Sequence, residues 1–347
     1  MLSKEQLAVL SEVRNFSSKD VTVFLDAKEL AALFCIACED LGIQCEECDS
    51  CTEVASKPYF DIDITKVSCA ASFDLEASLD ILEKKHRDFF TYFTSLCRLH
   101  GRRRRYHEIL RKQPFPGPDQ ILPRSLLEYG TAPSQALASY MVWRKFLYDL
   151  DNRAAQETGY LFEPILAAAI GGVPVSASKS PIKRVEDPKN GRQVDCLKGT
   201  DAYEFKLRVT IAASGQGRFG EELSFAQDCR ASGFRPILLV LDPTHSEKLE
   251  LLEAEYKKYS GLAFVGDEAW QHIERQSGKT LKVFIEKYVK NPITEVLENL
   301  DEKGLLPVEI SKKDHTVIMR VGPSDYVIER SKNVDKDVQS ELADFSI

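Results

Sequence analysis

One short stretch, residues 194–209, constrains the fold of this chain more than any other. It predicts two strands joined by a tight turn at residues 198–201, where Gly199 and Asp201 supply turn chemistry. Side chains alternate between the two faces of a strand. In the second strand one face is apolar, with Tyr203, Phe205, Leu207 and Val209. The other face is charged, with Glu204, Lys206 and Arg208.

The hairpin brings Asp195, on the first strand, towards Glu204 and Lys206. Two carboxylates and an ammonium suit a hard divalent cation such as Mg²⁺, which takes oxygen ligands and keeps several waters. Such a metal polarises a phosphoryl oxygen, and a nearby lysine positions or deprotonates the attacking water. A metal held by two carboxylates beside a lysine is a set of groups that can hydrolyse a phosphodiester. The alternative is a solvated strand face with a cross-strand ion pair.

These residues resemble the PD-(D/E)xK superfamily of nucleases, although Val194 stands in the place of the proline. An apolar helix with an internal acid, Glu163, precedes the hairpin, as in many of these enzymes. The resemblance implies that Asp195, Glu204 and the Phe205 carbonyl bind Mg²⁺ and that Lys206 orients or activates the water. Glu163 is a further candidate for the metal shell, or else an acid in the first turn of a helix before Pro164.

Residues 203–222 are similar to the ApaLI-like type II restriction endonucleases, and this narrower resemblance covers roughly residues 149–293. It implies Mg²⁺-dependent, sequence-specific hydrolysis of double-stranded DNA at a short palindrome, as part of a restriction-modification system. Cutting both strands of a palindrome suits a two-fold homodimer. A DNA-binding protein that has the nuclease fold without cleavage is the alternative from another functional class.

A basic run surrounds four consecutive arginines, Arg102, Arg103, Arg104 and Arg105. Guanidinium groups bind phosphate in a bidentate manner, so we expect this run to contact DNA. A solvated helix or loop face is the plainer interpretation. The formal net charge of −8 argues against a general polyanion coat, yet it permits a local basic surface.

A Gly-x-Gly-x-x-Gly pattern at residues 215–220 competes with the nuclease interpretation. It follows a strand and precedes a helix, and Asp242 ends the next strand, as in dinucleotide-binding oxidoreductases. A central parallel strand should be almost continuously apolar, whereas this one contains Glu204, Lys206 and Arg208. In a nuclease the glycine loop would bring Gln216 and Arg218 to DNA.

Cysteines are crowded near the N-terminus, at Cys35, Cys38, Cys45, Cys48 and Cys51. Four thiolates at short spacing satisfy a structural zinc site. Cys35 and Cys38, however, fall where an amphipathic helix would bury them, and buried thiols are common. Both interpretations stay open at this point.

The predicted fold is α/β (α+β), with a restriction-endonuclease-like core in which helices flank a mixed β-sheet. We expect an N-terminal α/β region over residues 1–113, the catalytic core over 114–295, and a C-terminal β-hairpin and tail over 296–347. Further expectations are strands at 21–25 and 59–65, a long helix at about 74–99 and a hairpin at 316–329. The start has no signal peptide and no stretch of membrane-spanning length is present, which predicts a cytoplasmic protein without a membrane partner.

Overall fold

The structure is a computed structural model and describes residues 1–44, 58–64, 73–207, 216–242 and 246–332. Packing divides the chain into two compact units, each assembled from separate stretches. The first unit comprises Met1–Val9, Asp26–Arg98 and Gly159–Asn291, and the second comprises Leu10–Leu25, Leu99–Thr158 and Pro292–Ile347. The division into continuous regions at about residues 113 and 295 stays a prediction.

The centre of the first unit is a mixed five-stranded sheet, counted over the described residues. Its strands lie side by side in chain order: β1 (Val173–Val175), β2 (Val194–Lys198), β3 (Asp201–Lys206), β4 (Arg235–Val240) and β5 (Leu262–Val265). The first three strands pair in antiparallel fashion, and β3, β4 and β5 run parallel. The expected mixed sheet is confirmed.

Helices α7 (Gln216–Ala231) and α8 (Glu247–Lys258) pack against this sheet. Ser246 caps α8 by accepting a hydrogen bond from the Leu249 amide at 3.2 Å. Apolar side chains of both helices and of the sheet form a buried core, which includes Phe225, Leu238, Val240, Leu252 and Tyr256. This core fixes the distance between α7 and the strand β3 in front of it.

Helix α7 is also held by a buried arginine, Arg192, which lies just before β2. Its guanidinium donates to the Asp228 carboxylate at 3.1 Å and to the Ser224 hydroxyl at 3.1 Å. It also bonds Glu221 and lies over the Phe225 ring, 5.6 Å from the centroid. Asp228 in turn accepts a bond from the Val185 amide at 2.8 Å. We call these residues the Arg192 cluster.

The N-terminal part of the chain contains helices α1 (Lys4–Glu12), α2 (Ala27–Asp40), α3 (Leu75–Lys85) and α4 (Phe89–Lys112). Asp26 and Glu29 form a capping box that starts α2. The single helix expected at 74–99 is wrong, because the chain turns at Asp88, whose φ is +66°. The Glu83 carboxylate there accepts a bond from the Phe90 amide at 2.7 Å and starts α4.

Both short strands expected in this region are also wrong. Residues Tyr59–Asp61 form a 3₁₀ turn after Pro58, and the Tyr59 ring packs edge-on against Tyr288 at 5.7 Å. Residues 21–25 form no regular strand, since Phe24 makes only an isolated bridge to Asn15. In residues 21–25 alternate side chains are buried without a neighbouring strand to complete a ladder, whereas in residues 59–64 only Tyr59 and Ile64 are buried.

The first unit continues with α9 (Asp267–Gln276), α10 (Lys279–Ile285) and a π-helical segment, Glu286–Lys290. Helix α11 (Asn291–Lys303) follows directly. The bounds of β5 and α9 agree with the sequence pattern. Among the described residues, the structure has no helix that combines the length and the apolar character needed to span a membrane.

The second unit contains α5 (Pro118–Ser125) and most of the long helix α6 (Ser134–Ile170). It also contains a three-stranded antiparallel sheet of β6 (Val308–Lys313), β7 (Thr316–Val321) and β8 (Ser324–Glu329). The predicted C-terminal hairpin is therefore present as β7 and β8, in a sheet separate from the first. Its core joins Leu110, Phe146, Leu150, Val317 and Ile328.

Candidate active site

The hairpin β2–β3 places Asp195 beside Glu204. A two-residue turn closes the hairpin, with Gly199 at φ +57°, and the register pairs Cys196 with Tyr203. Continued by one residue, this antiparallel register brings Asp195 opposite Glu204, with both side chains on the same face of the sheet. The Asp195 carboxylate accepts a hydrogen bond from the Phe205 amide at 2.8 Å. The local pattern alone is thus sufficient to bring the two acids together.

Lys206 lies two residues beyond Glu204 on the same face of β3. Its ammonium is 2.9 Å from Glu204 Oε1 and 3.2 Å from Glu222 Oε1. All three side chains are more than four-fifths buried, with exposed fractions of 19%, 19% and 17%. Arg208, which was expected on this face, lies outside the described residues. We call Asp195, Glu204, Lys206 and Glu222 the Lys206 cluster.

The pKa values in this cluster indicate an excess of negative charge. Burial raises the pKa of Asp195 well above its ordinary value, and the carboxylates of Glu204 and Glu163 add to the rise. Burial likewise raises the pKa of Glu163, assisted by Glu204 and opposed by Lys206. Burial lowers the pKa of Lys206, but Glu204 and Glu222 outweigh it, so the net shift is upward. Lys206 is therefore an ammonium at neutral pH, and it is surrounded by more acids than it can neutralise.

Glu163 approaches the cluster from helix α6. The helix runs continuously from Ser134 to Ile170 with Pro164 inside it, so the alternative of a first-turn acid before Pro164 is wrong. Glu163 is half-buried, and its pKa responds to both Glu204 and Lys206. The acid is thus within electrostatic reach of the cluster, and its place in a metal shell stays a prediction.

A hard cation fits this site by the chemistry of its donors. Carboxylate oxygens are the ligands that Mg²⁺ takes in proteins, and the mutual repulsion of the acids would be relieved by positive charge. The Oε2 atom of Glu222 is buried and accepts no hydrogen bond from any described residue. Within the same described ranges, the structure holds no compact group of three His, Cys, Asp or Glu side chains that is already arranged as a metal site.

Glu222 is the one cluster residue that our sequence reasoning did not single out. It lies in the second turn of α7, after the glycine-rich stretch, and no local periodicity connects it to β3. Only the topology of the β3–α7–β4 connection could have predicted the position of Glu222. Because α7 crosses over β3 to reach the parallel strand β4, an acid early in α7 returns to the carboxyl end of β3.

The arginine run lies in α4, in the second unit, and its four members differ. Arg102 and Arg105 bind the buried Glu157 carboxylate at 3.1 and 2.9 Å. Arg105 also donates to the Phe16 carbonyl at 2.7 Å, and Arg104 donates to the Phe24 carbonyl at 3.3 Å. Arg103 and Arg104 are exposed, whereas the other two are half-buried. Part of the run therefore has a structural role, and its contact with DNA stays a prediction.

The remaining candidates lie partly outside the described residues. The glycine-rich stretch begins before α7, and the side chains of Gln216 and Arg218 are outside what the structure describes. Cys35 and Cys38 are buried in α2, as the helix pattern predicts, while Cys45, Cys48 and Cys51 are outside the described residues. A zinc site finds no support among the described side chains.

The β3–α7–β4 segment has the parallel topology that a dinucleotide-binding fold requires. The strand β3 nevertheless contains the largely buried Glu204 and Lys206 at its carboxyl end, where such a fold would have apolar residues. The topology thus agrees with both a dinucleotide-binding fold and a nuclease, whereas the charged residues of β3 favour the nuclease.

Comparisons with known proteins agree with this geometry. The model of a family described as ApaLI-like restriction endonuclease matches residues 54–290, which include every residue of the Lys206 cluster. The type II restriction enzyme ApaLI of Acetobacter pasteurianus is 48% identical over 311 residues, which cover 85% of this chain and 83% of that protein. A search of the solved structures found no significant match.

Proposed function

The chain belongs to the family of ApaLI-like restriction endonucleases, and from this membership we propose how it cuts double-stranded DNA. The enzyme is a type II restriction endonuclease, a site-specific deoxyribonuclease, and the oxidoreductase alternative is thereby set aside. In the proposal, Asp195, Glu204 and Lys206 are the catalytic residues, and the recognition site is a short palindrome. The observation that supports it most strongly is the Lys206 ammonium, 2.9 Å from Glu204 on the face shared with Asp195.

Asp195 and Glu204 would hold Mg²⁺ together with the Phe205 carbonyl, and Glu163 is the further candidate. A metal bound there supplies a Lewis acid for the phosphoryl oxygen and lowers the pKa of a bound water. The Phe205 amide fixes one carboxylate oxygen of Asp195 at 2.8 Å. The side chain of Asp195 is therefore oriented before any ligand arrives.

Lys206 acts as a hydrogen-bond donor in this proposal. Hydrolysis forms a bond between a water oxygen and phosphorus, breaks the bond to a sugar oxygen, and increases negative charge on the phosphate. Because the surrounding carboxylates keep Lys206 protonated, it is suited to orient the water and to stabilise that charge rather than to remove a proton. The low exposure of the lysine side chain, 19%, strengthens these interactions.

Contact with the DNA backbone is proposed for Arg103 and Arg104, which are exposed on α4, and for the glycine-rich region with Gln216 and Arg218. The sequence also predicts DNA contact for Arg102 and Arg105, although Glu157 already binds both. Cleavage of both strands of a palindrome favours a homodimer with one site in each subunit. We propose that the enzyme acts in the cytoplasm, where the DNA that it cuts is found.

A cleavage assay tests this proposal. Purified protein is incubated with plasmid and phage DNA, in Mg²⁺ and separately in EDTA, and the products are resolved on a gel. Discrete bands that require Mg²⁺ are expected, and sequencing the ends gives the site and the stagger. Unchanged DNA together with a strong gel shift would favour the alternative of binding without cleavage.

Substitutions connect the assay to the site. Lys206→Ala and Glu204→Ala should abolish cleavage and preserve binding. The matched control is Lys258→Ala, because Lys258 also forms an ion pair with a glutamate, at 2.8 Å, but is 60% exposed and lies in the last turn of α8, outside the Lys206 cluster. Cleavage that survives both Lys206→Ala and Glu204→Ala would contradict the mechanism.

A further inference from the structure

Glu222 connects helix α7 to the Lys206 ammonium. Glu222 Oε1 lies 3.2 Å from Lys206 Nζ, and the glutamate side chain is 17% exposed. Helix α7 holds this carboxylate in place, because Arg192 anchors the same helix at Glu221, Ser224 and Asp228. The contact therefore joins two independently fixed elements, strand β3 and helix α7.

The second oxygen of Glu222 distinguishes it from a structural acid. Glu222 Oε2 is buried, and no described residue donates a hydrogen bond to it. A buried polar atom without a partner is uncommon, and each case asks for an explanation. In contrast, both oxygens of Asp228, six positions later in the helix, have donors, Val185 N and Arg192 Nη1. Stability alone does not explain why a carboxylate faces β3 at this point.

Lys206 needs a second anchor in the mechanism proposed above. The ammonium sits at the end of a flexible four-carbon stem and is held by Glu204 and Glu222. Glu204 is also proposed as a metal ligand, so its oxygens are required elsewhere during the reaction. Glu222 has no other described partner and remains available to hold the ammonium.

We propose that Glu222 is a positioning residue, which holds the Lys206 ammonium in place for attack on the phosphodiester. The inference rests on the proposed function of Lys206 and adds a fourth residue to the site. Glu222 acts through Lys206 in this proposal and touches neither DNA nor the scissile phosphate.

A double-mutant cycle tests the role of Glu222. Single-turnover cleavage and DNA affinity are measured for Glu222→Ala, Lys206→Ala and the double variant, with melting temperatures to verify folding. We expect Glu222→Ala to lower the cleavage rate roughly 100-fold, because a misplaced catalytic group costs about that factor. DNA affinity should change by less than about threefold, since Glu222 makes no contact with DNA in this proposal. Glu222→Gln keeps an oxygen that accepts from Lys206 and should recover about tenfold of the loss.

The double variant separates positioning from a general structural effect. In the Lys206→Ala background, Glu222→Ala should alter the residual rate by less than about threefold, because its partner is already gone. Should Lys206→Ala fall below detection, Lys206→Arg replaces it as the background, and the effect of Glu222→Ala there should differ from its effect in the wild type. Glu255→Ala is the matched control, since Glu255 is also largely buried, at 25% exposed, and pairs with a lysine, Lys258, at 2.8 Å, but lies in α8 outside both clusters.

Several outcomes would overturn the proposal. Equal losses from Glu222→Ala in both backgrounds would mean that Glu222 acts independently of Lys206. Wild-type cleavage by Glu222→Ala, with Lys206→Ala inactive, would refute this inference and leave the proposed function intact. Full activity of Lys206→Ala would overturn the proposed mechanism and the inference together.

Discussion

Helix α7 presents two buried acids, Asp228 and Glu222, to two very different surroundings. In the Arg192 cluster, both oxygens of Asp228 accept hydrogen bonds, and the Arg192 guanidinium has three side-chain partners and a ring beneath it. In the Lys206 cluster, one lysine faces Glu204 and Glu222 with Asp195 close by, and Glu222 Oε2 has no described donor. Burial of an acid is common to both, so the balance of donors and acceptors is what separates them.

That balance has different physical consequences in the two clusters. A buried ion pair with every group satisfied holds elements together, and breaking it leaves an uncompensated charge. In the unbalanced cluster, burial raises the pKa values of Asp195 and Glu163, and repulsion from neighbouring carboxylates adds to the rise. Natural proteins tolerate such local conflicts mainly at functional sites. The comparison therefore assigns a structural role to the α7 residues that contact Arg192 and a functional role to Glu222, which contacts Lys206.

The largest effect is expected from Asp195→Asn, which should separate activity from stability. The substitution removes a proposed metal ligand worth several kcal/mol to the transition state, so cleavage should fall roughly 1000-fold or more. It also removes one repelling charge, so the free energy of unfolding in EDTA should stay constant or rise. Single-turnover cleavage and urea unfolding measure the two quantities. A large loss of stability would place Asp195 among the structural acids instead.

The raised pKa of Asp195 also predicts how its contribution to stability changes with pH. The pKa of Asp195 is higher in the folded state than its ordinary value, so protonation favours folding. Its contribution to stability is present below the ordinary pKa of about 4 and is lost as pH rises through the folded pKa. In EDTA, the contribution of Asp195 should therefore fall as pH rises towards neutrality, and the stability of Asp195→Asn relative to the wild type should increase over the same range. If the free energy of unfolding changes with pH equally in the variant and the wild type, the surroundings of Asp195 do not disfavour its ionised form.

Arg192→Ala should have the opposite pattern, a large loss of stability. It leaves Asp228 buried without its cation, which typically costs about 3 kcal/mol or more. The matched control is Arg184→Ala, because Arg184 also binds Glu221 but is 34% exposed, and an exposed pair contributes about 1 kcal/mol or less. Chemical denaturation measures both. Equal small losses would mean that the Arg192 cluster does not anchor α7.

The contrast between local and long-range contacts also explains how much the sequence alone could predict. The hairpin turn at Gly199, the shared face of Glu204 and Lys206 and the bounds of β5 and α9 follow from patterns within a few residues. Glu222 could not be found this way, because its position depends on how α7 crosses over β3. The strand expected at 59–65 failed because an alternating pattern in a short segment does not reveal whether a neighbouring strand exists.

The arginines of α4 allow a similar comparison between exposed charges and charges that bind a buried acid. Substituting the exposed Arg103 and Arg104 by Gln should cost about 1 kcal/mol of stability or less, because the bond from Arg104 to the Phe24 carbonyl is exposed to water. The same change should reduce the slope of log affinity against log salt by about 2, one for each lost phosphate contact. Arg105→Gln should instead reduce stability, because Arg105 shares the buried Glu157 with Arg102. Filter binding at several salt concentrations and thermal melting measure the two effects. An unchanged salt slope in the double variant would remove this surface from the DNA interface.

The smallest effect is expected from Tyr256→Phe, which tests whether an unpartnered buried group near the Lys206 cluster is necessarily functional. Tyr256 is fully buried and stacks on Phe225, with 6.0 Å between ring centroids, and no described residue bonds its hydroxyl. Burial and then the charge of Glu204 raise the pKa of that hydroxyl. Removing an unsatisfied hydroxyl while keeping the ring should leave the free energy of unfolding constant or raise it by up to about 1 kcal/mol.

Tyr203→Phe is the matched control for this small effect. The Tyr203 hydroxyl lies 3.3 Å from His272 Nε2 in the buried interior, so its removal should cost about 1 kcal/mol. Cleavage by Tyr256→Phe should stay within about twofold of the wild type, since the hydroxyl touches no proposed catalytic group. A tenfold slower Tyr256→Phe enzyme of unchanged stability would contradict this and would make the hydroxyl a further member of the Lys206 cluster. If Tyr256→Phe instead cleaves DNA like the wild type, the unsatisfied hydroxyl of Tyr256 has no role in catalysis. Glu222 would then differ from Tyr256 because its carboxylate contacts Lys206 directly.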